Sequence, residues 1–583
     1  MKGKFYESEY EKALIDLLQA EGWQYTNGGN IHRQLREPLL IEDPKVNDLR
    51  VYLQNQYPDL ADSDVTEVIN YLRHVPGQSH FERLRNTFQL VRDGYRYTRH
   101  GDGVNFDIRF IDFDNTDCNI FRAVNQFEVA YGMKNDVRIP DVLLFVNGIP
   151  LCIFELKNPT KLDADIAQAY EQIHTRYMRD IPHLLRYCPL SCISDATDNN
   201  TRLGTTYTPY EHYYAWKKVN NEDPSAQKGI DQVRTIVKGV HEPSRFLEIL
   251  RDYVYFPDEK SGREEEIVCR YPQFFATRMM SDSIRRAFKE QTSKGGTYFG
   301  ATGCGKTYTM MFIARQLALR CKELGSPTVI MIVDRDDLQT QAGKLFLRSQ
   351  DFLQLGTVKV ISDREELKTE LSLRDSGGFF ICTIQKFCES IGELNTRRNI
   401  ICFSDEAHRT QIRLSSKIKV VEHKDIEAKV EQTSAGAVAV RIIDESKIGA
   451  FVTKPYAEQL RTAFPNATFV GFTGTPIAET IQVFGEIVDR YTMQQAVDDE
   501  ITKDIKYIPR IAQVTLDSEK VKEIEDYYTR CAEEGATESD IAASKKAMSA
   551  MEQILGDEER LERLAADIIT HYTASCDNKP GVV

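Results

Sequence analysis

The feature that most constrains the fold of this chain is a Gly-rich loop between a β-rich run and a helical pattern, in the segment GTYFGATGCGKTYTMMFIARQLAL at residues 296–319. The loop matches the pattern G-x-x-x-x-G-K-[ST]. Glycines in such a loop let backbone N–H groups turn towards a phosphate, the lysine adds a point charge, and the last hydroxyl ligates Mg²⁺. The segment therefore predicts a triphosphate site. Its predicted nucleotide-binding residues are Gly300, Thr302, Gly303, Gly305, Lys306 and Thr307, with Thr307 also a metal ligand.

An acidic pair, Asp405 and Glu406, follows the apolar run NIICFS at residues 399–404. A carboxylate at the C-terminal tip of a parallel strand faces the crevice where ligands bind. We expect Asp405 to hold Mg²⁺ through water and Glu406 to polarise the water that attacks the terminal phosphate. An acidic pair after a strand is, by itself, usually a solvated turn, so this prediction depends on the Gly-rich loop upstream.

The order of apolar runs predicts two architectures in one chain. Between residues 296 and 472, short β-rich runs alternate with helical patterns, which is typical of a doubly wound parallel α/β layer. Before it, from about residue 105 to 157, the pattern is that of adjacent strands. The charged, poorly periodic stretch between the two patterns indicates a domain boundary.

A candidate hydrolytic site occupies PDVLLFVNGIPLCIFELK at residues 140–157, which reads as a β-hairpin. Because side chains alternate along a strand, Glu155 and Lys157 share a face. Together with Asp141 they would form an oxygen-rich Mg²⁺ site beside a lysine that can orient water or steady a pentacovalent phosphate, which phosphodiester hydrolysis requires. Without context the motif is weak, because charges at strand ends are usually solvated.

The spacing of this hairpin raises a register problem. A strict two-residue turn at Asn147-Gly148 pairs Asp141 with Phe154 and places Asp141 and Glu155 on opposite faces. We therefore predict a bulge or a longer turn at Gly148–Pro150, where the proline donates no ladder hydrogen bond in any case. A regular turn with the two carboxylates pointing apart would count against the site.

Composition and charge are those of a folded protein of several domains. The 583 residues carry 74 Lys+Arg against 88 Asp+Glu, so the formal net charge is -14 and any DNA binding must come from local basic grooves. The chain starts without a signal-peptide pattern, and no run approaches the roughly 18 apolar residues of a membrane span, so we expect a cytoplasmic protein with no membrane partner. Of the 12 Cys, Cys188 and Cys192 come nearest to a metal spacing, but no second pair accompanies them and we expect no structural metal.

Several segments resemble the motifs of superfamily 2 helicases and translocases. SDEAH at 404–408 resembles the DEAH box, and GFTGTPI at 471–477 resembles the third motif, which couples nucleotide state to DNA contact. RYPQFFATR, with Gln273, is similar to the upstream segment that reads adenine. IVDRDDLQTQ at 332–341 and TIQKF at 383–387 resemble strand-end loops that touch the DNA backbone.

The hairpin resembles the P-D-x(n)-E-x-K nuclease core. Followed by a DEAH-type motor, it makes the chain similar, over nearly its whole length, to the restriction (motor) subunit of type I restriction-modification enzymes. That family carries a Q-x-x-x-Y element after the lysine, whereas Gln172 and Tyr177 here are one residue further apart. Glu11 is a candidate further nuclease carboxylate, but Ser8 and Glu11 also form a capping-box pattern, which explains Glu11 equally well or better.

The resemblance implies an α/β fold class with a mixed α/β nuclease core over residues 1–240, a linker over 241–268, a RecA-like doubly wound ATPase domain over 269–485, and the incomplete beginning of a second RecA-like lobe over 486–583. It implies ATP and Mg²⁺ as cofactors, and double-stranded DNA and the methyltransferase (M) and specificity (S) subunits as partners. The implied activity is ATP-dependent DNA translocation with endonucleolytic cleavage. The implied catalytic residues are Asp141, Glu155, Lys157 and Glu406, and the implied metal ligands are Asp141, Glu155, Thr307 and Asp405.

Two departures from the family keep other functions open. Full motor subunits are longer, so we interpret the chain as an N-terminal portion or a naturally shortened form that ends before the second-lobe arginines needed for ATP hydrolysis. The stretch 412–455 resembles an insertion into a normally short connection. The alternatives are a helicase-nuclease of another defence or repair system, and a motor-dead subunit that binds DNA, nucleotide or the methyltransferase without turnover.

Overall fold

The computed structural model describes residues 7–157, 166–225, 229–257, 264–334, 336–384, 393–408, 417–420, 428–432, 438–442, 450–453, 456–503, 529 and 558–575. Residues 1–503 form one compact unit and residues 504–583 a second. In the second unit, residues Glu558–Ser575 form a helix. Among the described residues, no helix is both long and apolar enough to cross a membrane.

The N-terminal part of the first unit combines short strands with helices. Its strands are β1 Gln24–Asn27, β2 Tyr95–Thr98, β3 Asn105–Ile108, β4 Phe121–Asn125, β5 Val129–Tyr131, β6 Asp136–Arg138, β7 Val142–Val146, β8 Ile149–Leu156, β9 Leu190–Ser194, β10 Thr201–Gly204, β11 Tyr214–Ala215, β12 Val254–Tyr255 and β13 Ile267–Val268. Its helices are α1 Glu7–Ala20, α2 Asp48–Gln56, α3 Asp62–Arg73, α4 His80–Asp93, α5 Ile166–Glu171, α6 Met178–Asp180, α7 Pro182–Leu185, α8 Gly229–Val240 and α9 Pro243–Asp252, with a π-helical turn at Gln172–Tyr177 between α5 and α6.

Seven of these strands form a mixed sheet in the order β1-β4-β7-β8-β9-β10-β11. The β1–β4 and β8–β9 pairs are parallel and the others are antiparallel. All residues of β7 and β8 are buried, because alternate side chains of these strands enter two different hydrophobic cores. Their unbroken apolar runs are therefore those of strands covered on both faces.

The hairpin of β7 and β8 contains the predicted bulge. The turn keeps two residues, Asn147 and Gly148, with φ of 49° and 75°. Beyond it the register shifts: Phe145 pairs with Pro150 but Leu144 pairs with Cys152, which leaves Leu151 as the extra residue. The prediction of a bulge is thus confirmed, one residue beyond the expected position. Because Val142 pairs with Phe154, the next position along the ladder places Asp141 opposite Glu155 on one face.

The C-terminal part of the first unit is built on parallel strands. Its strands are β14 Lys294–Gly300, β15 Thr328–Val333, β16 Val358–Val360, β17 Phe379–Thr383, β18 Ile400–Ser404, β19 Lys417–Val420, β20 Ala428–Gln432, β21 Val438–Ile442, β22 Ala450–Thr453, β23 Thr468–Thr473 and β24 Ile487–Tyr491. Its helices are α10 Tyr271–Glu290, α11 Lys306–Leu319, α12 Asp336–Leu347, α13 Gln350–Leu353, α14 Arg364–Ser372, α15 Tyr456–Ala463, α16 Ala478–Phe484 and α17 Met493–Asp498.

Seven of these strands form a sheet in the order β16-β17-β15-β18-β23-β14-β24, and every neighbouring pair is parallel. The predicted doubly wound parallel α/β layer is confirmed. The strand that precedes the Gly-rich loop, β14, lies next to β23, which lies next to β18 and its acidic pair. The carboxyl ends of the three strands therefore meet at one edge of the sheet, where such folds bind ligands.

The stretch 412–455, expected to be an insertion, contributes no strand to this sheet among the residues described. Instead β19 pairs with β22 and β20 with β21, both antiparallel. All four strands lie between β18 and α15 in the chain.

Two predicted boundaries need correction. Residues 243–252, placed in a linker, form α9, and its Phe246, Ile249 and Leu250 are fully buried. That core continues from the mixed sheet to α11, so the segment is packed structure rather than a connection. The parallel-sheet domain also extends past residue 485, because β24 pairs with β14 in the same sheet. The second-lobe prediction falls mostly on residues after 503, largely outside the described residues.

Candidate active sites

The Gly-rich loop connects the end of β14 to the start of α11. Gly305 precedes the first helical residue with φ 87°, and Gly303 has φ 83°, both in the left-handed region that glycine adopts without strain. A Cβ on Gly303 would meet no atom within 4 Å, so the loop is open at this point. The backbone therefore has the geometry that a phosphate-binding loop requires, at the N-terminus of a 14-residue helix.

The lysine of the loop is held beside the acidic pair. Lys306 Nζ lies 3.4 Å from the carbonyl oxygen of Gly300 and 3.5 Å from Glu406 Oε1. The Glu406 backbone has φ 46°, a left-handed conformation that costs a side-chain-bearing residue about 1–2 kcal/mol. Such strain is found where the surrounding structure fixes a side chain for a functional reason. Asp405 accepts a hydrogen bond from the Glu406 N–H at 3.0 Å.

The segment that resembles the third motif lies against the Gly-rich loop and contacts the two residues that follow the acidic pair, Ala407 and His408. His408 Nδ1 lies 2.7 Å from Thr473 Oγ1, and the Ala407 N–H donates to the carbonyl of Phe472 at 3.0 Å. A Cβ on Gly474 would lie 3.2 Å from Thr302 Oγ1 and 3.8 Å from Lys306 Nζ. The three motifs, which are far apart in the chain, therefore lie close together in the folded protein.

Gln273 lies beside the same loop. It is buried in the first turn of α10, its Oε1 accepts a hydrogen bond from the Arg270 N–H at 2.9 Å, and its Nε2 donates to the carbonyl of Gly305 at 3.3 Å. Both polar atoms of the side chain are thus engaged. The structure therefore places the Gln273 side chain against the Gly-rich loop.

The carboxylate–lysine group lies at the far end of the β7–β8 hairpin from the turn. Glu155 is fully buried, and its Oε1 accepts a hydrogen bond from Lys157 Nζ at 2.6 Å. Asp141 accepts a hydrogen bond from the Leu156 N–H at 2.6 Å, which holds its carboxylate against the end of β8. The bulge at Leu151 therefore brings the three predicted side chains together.

The Glu155 carboxyl group is electrostatically unusual. Burial, with a smaller contribution from the negative charge of Asp141, raises its pKa from 4.5 to about 8, although Lys157 and Tyr177 act in the opposite direction. Burial therefore favours the neutral form of Glu155. The negative charges of Asp141 and Glu155 repel one another at a buried position, and a divalent cation bound between them would stabilise both carboxylates.

The π-helical turn explains the odd spacing of Gln172 and Tyr177. In a π-helix one extra residue is accommodated per turn, so a five-residue separation can still place the two side chains together. Gln172 Nε2 donates to the Tyr177 hydroxyl at 2.7 Å, and that hydroxyl lies 3.1 Å from Glu155 Oε2. The pair therefore contacts the predicted nuclease carboxylate despite its departure from Q-x-x-x-Y.

Glu11 is a buried side chain of α1 and not part of a helix cap. Ser8 lies inside the described helix, so the capping-box explanation is wrong. The Glu11 carboxylate instead accepts hydrogen bonds from Asn125 Nδ2 at 2.5 Å and Gln126 Nε2 at 3.4 Å. Asn125 pairs with Val142, the residue after Asp141, so Glu11 lies at the same end of the sheet as the carboxylate–lysine group.

The structure also places other predicted residues. Thr307 follows Lys306 at the start of α11 and is partly exposed, as is Asp334 at the end of β15. Thr383 is buried at the end of β17. Arg335 and Gln385, from the two loops that resemble DNA-contacting segments, lie outside the described residues.

Sequence reasoning missed a buried polar contact between the two sheets. Lys217, which follows β11 of the mixed sheet, lies with its Nζ 3.0 Å from Asp499 Oδ1. Asp499 Oδ2 accepts hydrogen bonds from the hydroxyls of Tyr271 and Tyr491, at 2.5 Å and 2.6 Å. No motif marks these residues, because they come from three segments that are distant in the chain. They join the edge of the mixed sheet to the region beside Gln273.

Fold and sites together define the class of protein: a mixed-sheet domain that carries a carboxylate–lysine group, followed by a parallel-sheet domain that carries a phosphate loop and a DEAH sequence. Comparison with known proteins agrees with this class. Residues 4–212 match the family model for the type I restriction enzyme R protein N terminus (HSDR_N), and residues 272–540 match the model for the SWI2/SNF2 ATPase.

The chain is also similar to curated proteins over most of its length. It is 32% identical over 97% of its residues to the type I restriction enzyme HindI endonuclease subunit of Haemophilus influenzae, of which it covers 51%. It is 22% identical over 90% of its residues to the SsaAORF53P endonuclease subunit of Staphylococcus saprophyticus, of which it covers 50%. The chain therefore combines a region similar to the type I restriction enzyme R protein N terminus with a region similar to the SWI2/SNF2 ATPase, and it spans about half the length of the curated relatives it matches.

One solved structure with partial similarity is a nuclease-deletion mutant of the type ISP restriction-modification enzyme LlaGI in complex with a DNA substrate mimic. The two sequences are 16% identical, the TM-score is 0.23, and the match covers 48% of this chain and 24% of the LlaGI chain. Another is the Hef helicase domain of Pyrococcus furiosus, at 15% identity and a TM-score of 0.24, covering 51% of this chain and 53% of that one.

Proposed function

We propose that the chain is the motor and nuclease part of a type I restriction enzyme, in which ATP hydrolysis drives movement along double-stranded DNA and the mixed-sheet domain cuts it. The observation that carries this proposal is the presence, in one compact unit, of an open phosphate loop with Lys306 and Glu406 and of a separate buried group containing Asp141, Glu155 and Lys157.

In the ATPase, the loop backbone would bind the phosphates and Lys306 would place its charge against them. Glu406 lies 3.5 Å from that ammonium and is positioned to accept a proton from an attacking water. Thr307 and Asp405 are the residues that would hold the Mg²⁺ of ATP, which supplies neutralisation of phosphate charge when bound. Gln273 would bind the adenine by exchanging its hydrogen bonds with the Arg270 N–H and the Gly305 carbonyl for bonds to the base.

In the nuclease, Asp141 and Glu155 would hold Mg²⁺, which supplies polarisation of the phosphodiester oxygen and of water when bound. The chemistry of this donor set fits the ion, because both ligands are carboxylates. Loss of the Glu155 proton makes the second carboxylate available. Lys157, 11% exposed at its side chain, donates to Glu155 and can turn to the negative charge that develops on the phosphate.

The partners follow from the family and not from the net charge of the chain. A formal net charge of -14 requires that DNA be bound by local basic surface. Recognition of the target sequence would belong to a specificity subunit and modification to a methyltransferase subunit, which together with this chain would form the type I complex. The chain then supplies movement and scission.

The test uses the chain assembled with its M and S subunits, and measures DNA-stimulated ATP hydrolysis and plasmid cleavage in parallel. Lys306→Ala should abolish hydrolysis and cleavage together, because cleavage depends on movement. Lys157→Ala should abolish cleavage and leave hydrolysis intact. The exposed Lys322→Ala and Lys134→Ala, one from each domain, are the matched controls and should retain both activities.

Normal cutting by Lys157→Ala would contradict the nuclease assignment. Absence of DNA-stimulated ATP hydrolysis in the wild-type complex would instead favour a motor-dead subunit. Failure to assemble with a methyltransferase and a specificity subunit, combined with ATP-dependent cutting, would favour a helicase-nuclease of another defence or repair system.

A further inference from the structure

Three buried side chains with metal-binding chemistry converge in the N-terminal part of the chain, and none of them belongs to either proposed site. Cys152, Cys192 and His241 are each fully buried, and their ligating atoms all lie within 4.8 Å of one another. The sulfur atoms of Cys152 and Cys192 each lie 3.7 Å from His241 Nε2. The cluster is compact enough for a single ion to contact all three.

The three residues come from different elements, so only the fold assembles them. Cys152 lies on β8 and Cys192 on the neighbouring parallel strand β9, where Cys192 pairs with Phe154. His241 follows the last residue of α8. The cluster therefore connects two central strands of the mixed sheet to the junction between α8 and α9.

The orientation of the imidazole is fixed in the form that a metal ion needs. His241 Nδ1 lies 3.2 Å from the carbonyl oxygen of Ile236, an acceptor, so Nδ1 carries the hydrogen and Nε2 presents its lone pair to the two sulfur atoms. The ring is packed between Phe154 and Phe246, at centroid distances of 4.9 Å and 5.6 Å. The carbonyl of His241 accepts a hydrogen bond from Trp23 Nε1 at 2.7 Å, which holds its backbone.

The observed spacing agrees with tetrahedral zinc. With a Zn–S bond of about 2.3 Å and a Zn–N bond of about 2.1 Å, a tetrahedral angle separates the sulfur and nitrogen atoms by roughly 3.6 Å. The two sulfur–nitrogen distances in the cluster are 3.7 Å. Two thiolates and a neutral imidazole also cancel the charge of Zn²⁺, and a neutral unit is the kind that an apolar core tolerates.

We propose that Cys152, Cys192 and His241 bind one Zn²⁺ that holds the α8–α9 junction against the mixed sheet. Binding exchanges the two thiol protons for the ion, and both protons are released to solvent. Within the described residues the cluster offers three protein ligands. This site is distinct from the Mg²⁺ group at Asp141 and Glu155.

The test begins with zinc analysis of the wild-type chain, produced in zinc-containing medium and passed through gel filtration. One zinc per chain is expected. Cys152→Ser and Cys192→Ser should each lose it. Cys188→Ser is the matched control, because Cys188 is also fully buried but its sulfur faces the carbonyl of Leu184 outside the cluster, and this variant should keep its zinc.

A second comparison separates this site from the nuclease carboxylates. Zinc that is kept by Cys152→Ser and lost by Asp141→Asn would overturn the proposal. So would a wild-type chain that contains no zinc, since the cluster would then be a pair of core thiols that donate hydrogen bonds to an imidazole.

A measurement on the unaltered chain covers the case in which the serine variants fail to fold. Replacement of the ion by Co²⁺ should produce the near-ultraviolet charge-transfer band of thiolate-bound cobalt, and a thiol-specific mercurial should release zinc in step with the modification of two thiols. A cobalt-loaded chain without that band would overturn the proposal.

Discussion

The two proposed sites are held in opposite ways. In the ATP site, polar groups sit on loops after parallel strands, the loop backbone makes part of the site, and Lys306 and Glu406 remain partly accessible. In the nuclease site, Glu155 lies inside a fully buried strand and is held by Lys157 and Tyr177. The first site depends on local backbone conformation, whereas the second depends on strand register and on burial. They should therefore respond differently to substitution.

The largest expected effect is on the ATP site. Lys306→Ala removes the only charge that the loop itself offers to the phosphates, so ATP hydrolysis should fall by roughly 100-fold or more. Steady-state hydrolysis with saturating DNA measures it, with Lys322→Ala as the control. If Lys306→Ala hydrolysed ATP at a rate within a few-fold of wild type, the proposal that Lys306 binds the phosphates would be wrong.

The buried carboxyl group should make stability depend on pH. Because the pKa of Glu155 is raised from 4.5 to about 8 in the folded protein, the folded state binds a proton that the unfolded chain releases. The stabilisation by this proton is complete below pH 4.5 and is lost as pH rises towards 8. Without Mg²⁺, Glu155→Gln should thus gain stability relative to wild type over this range, on the order of a few kcal/mol.

Thermal unfolding of both proteins across this pH range measures the effect. The exposed Glu171→Gln serves as control and should follow the wild-type profile. Parallel wild-type and Glu155→Gln profiles would show that Glu155 is charged in the folded protein, contrary to its burial. Added Mg²⁺ should reduce the pH dependence, because the ion favours the carboxylate.

A smaller effect should separate positioning from catalysis in the nuclease. Tyr177→Phe removes the hydroxyl that lies between Gln172 and Glu155, so cleavage should fall by about 10-fold, equivalent to roughly 1.4 kcal/mol. DNA-stimulated ATP hydrolysis should not change. Tyr131→Phe, at a partly exposed tyrosine of β5, is the control. Unchanged cleavage in Tyr177→Phe would mean that the π-helical turn has no part in the site.

The smallest effect concerns backbone strain in the ATP site. Glu406→Gly and Glu406→Ala both remove the carboxylate, and both should abolish hydrolysis. Only glycine adopts φ 46° without cost, so Glu406→Gly should be more stable than Glu406→Ala by about 1 kcal/mol. Chemical denaturation with nucleotide absent measures the difference. Equal stabilities would show that the left-handed conformation stores no strain.

The sequence predicted the local structure of the proposed ATP site more completely than that of the proposed nuclease site, for a physical reason. Phosphate binding depends on local backbone conformation, and the eight consecutive residues Gly300 to Thr307 are enough to predict that conformation. Whether Asp141 and Glu155 share a face depends on how β7 pairs with β8. The sequence indicated only that a bulge or a longer turn was required. Its position at Leu151, and the π-helical turn that aligns Gln172 with Tyr177, depend on packing across the sheet.

The domain boundaries also depended on tertiary packing that the sequence did not predict. The stretch 241–268 was predicted to be a linker because its many charged residues obscure the helical spacing of its apolar residues. In the structure, Phe246 and Leu250 of α9 pack in the core that both sheets share. The charged junction of Lys217 with Asp499 has no sequence signal, because a single lysine or aspartate is ordinarily solvated.

The amino-acid order by itself determined the parallel-sheet domain, its Gly-rich loop and acidic pair, and the candidate residues of the hairpin, because each of these depends on neighbours in the chain. Only the tertiary structure decided which side of a strand Asp141 occupies, how Glu155 loses contact with water, and that Cys152, Cys192 and His241 meet. These outcomes depend on pairing and burial between distant segments, and the free energies of such contacts are settled only when the whole core is packed.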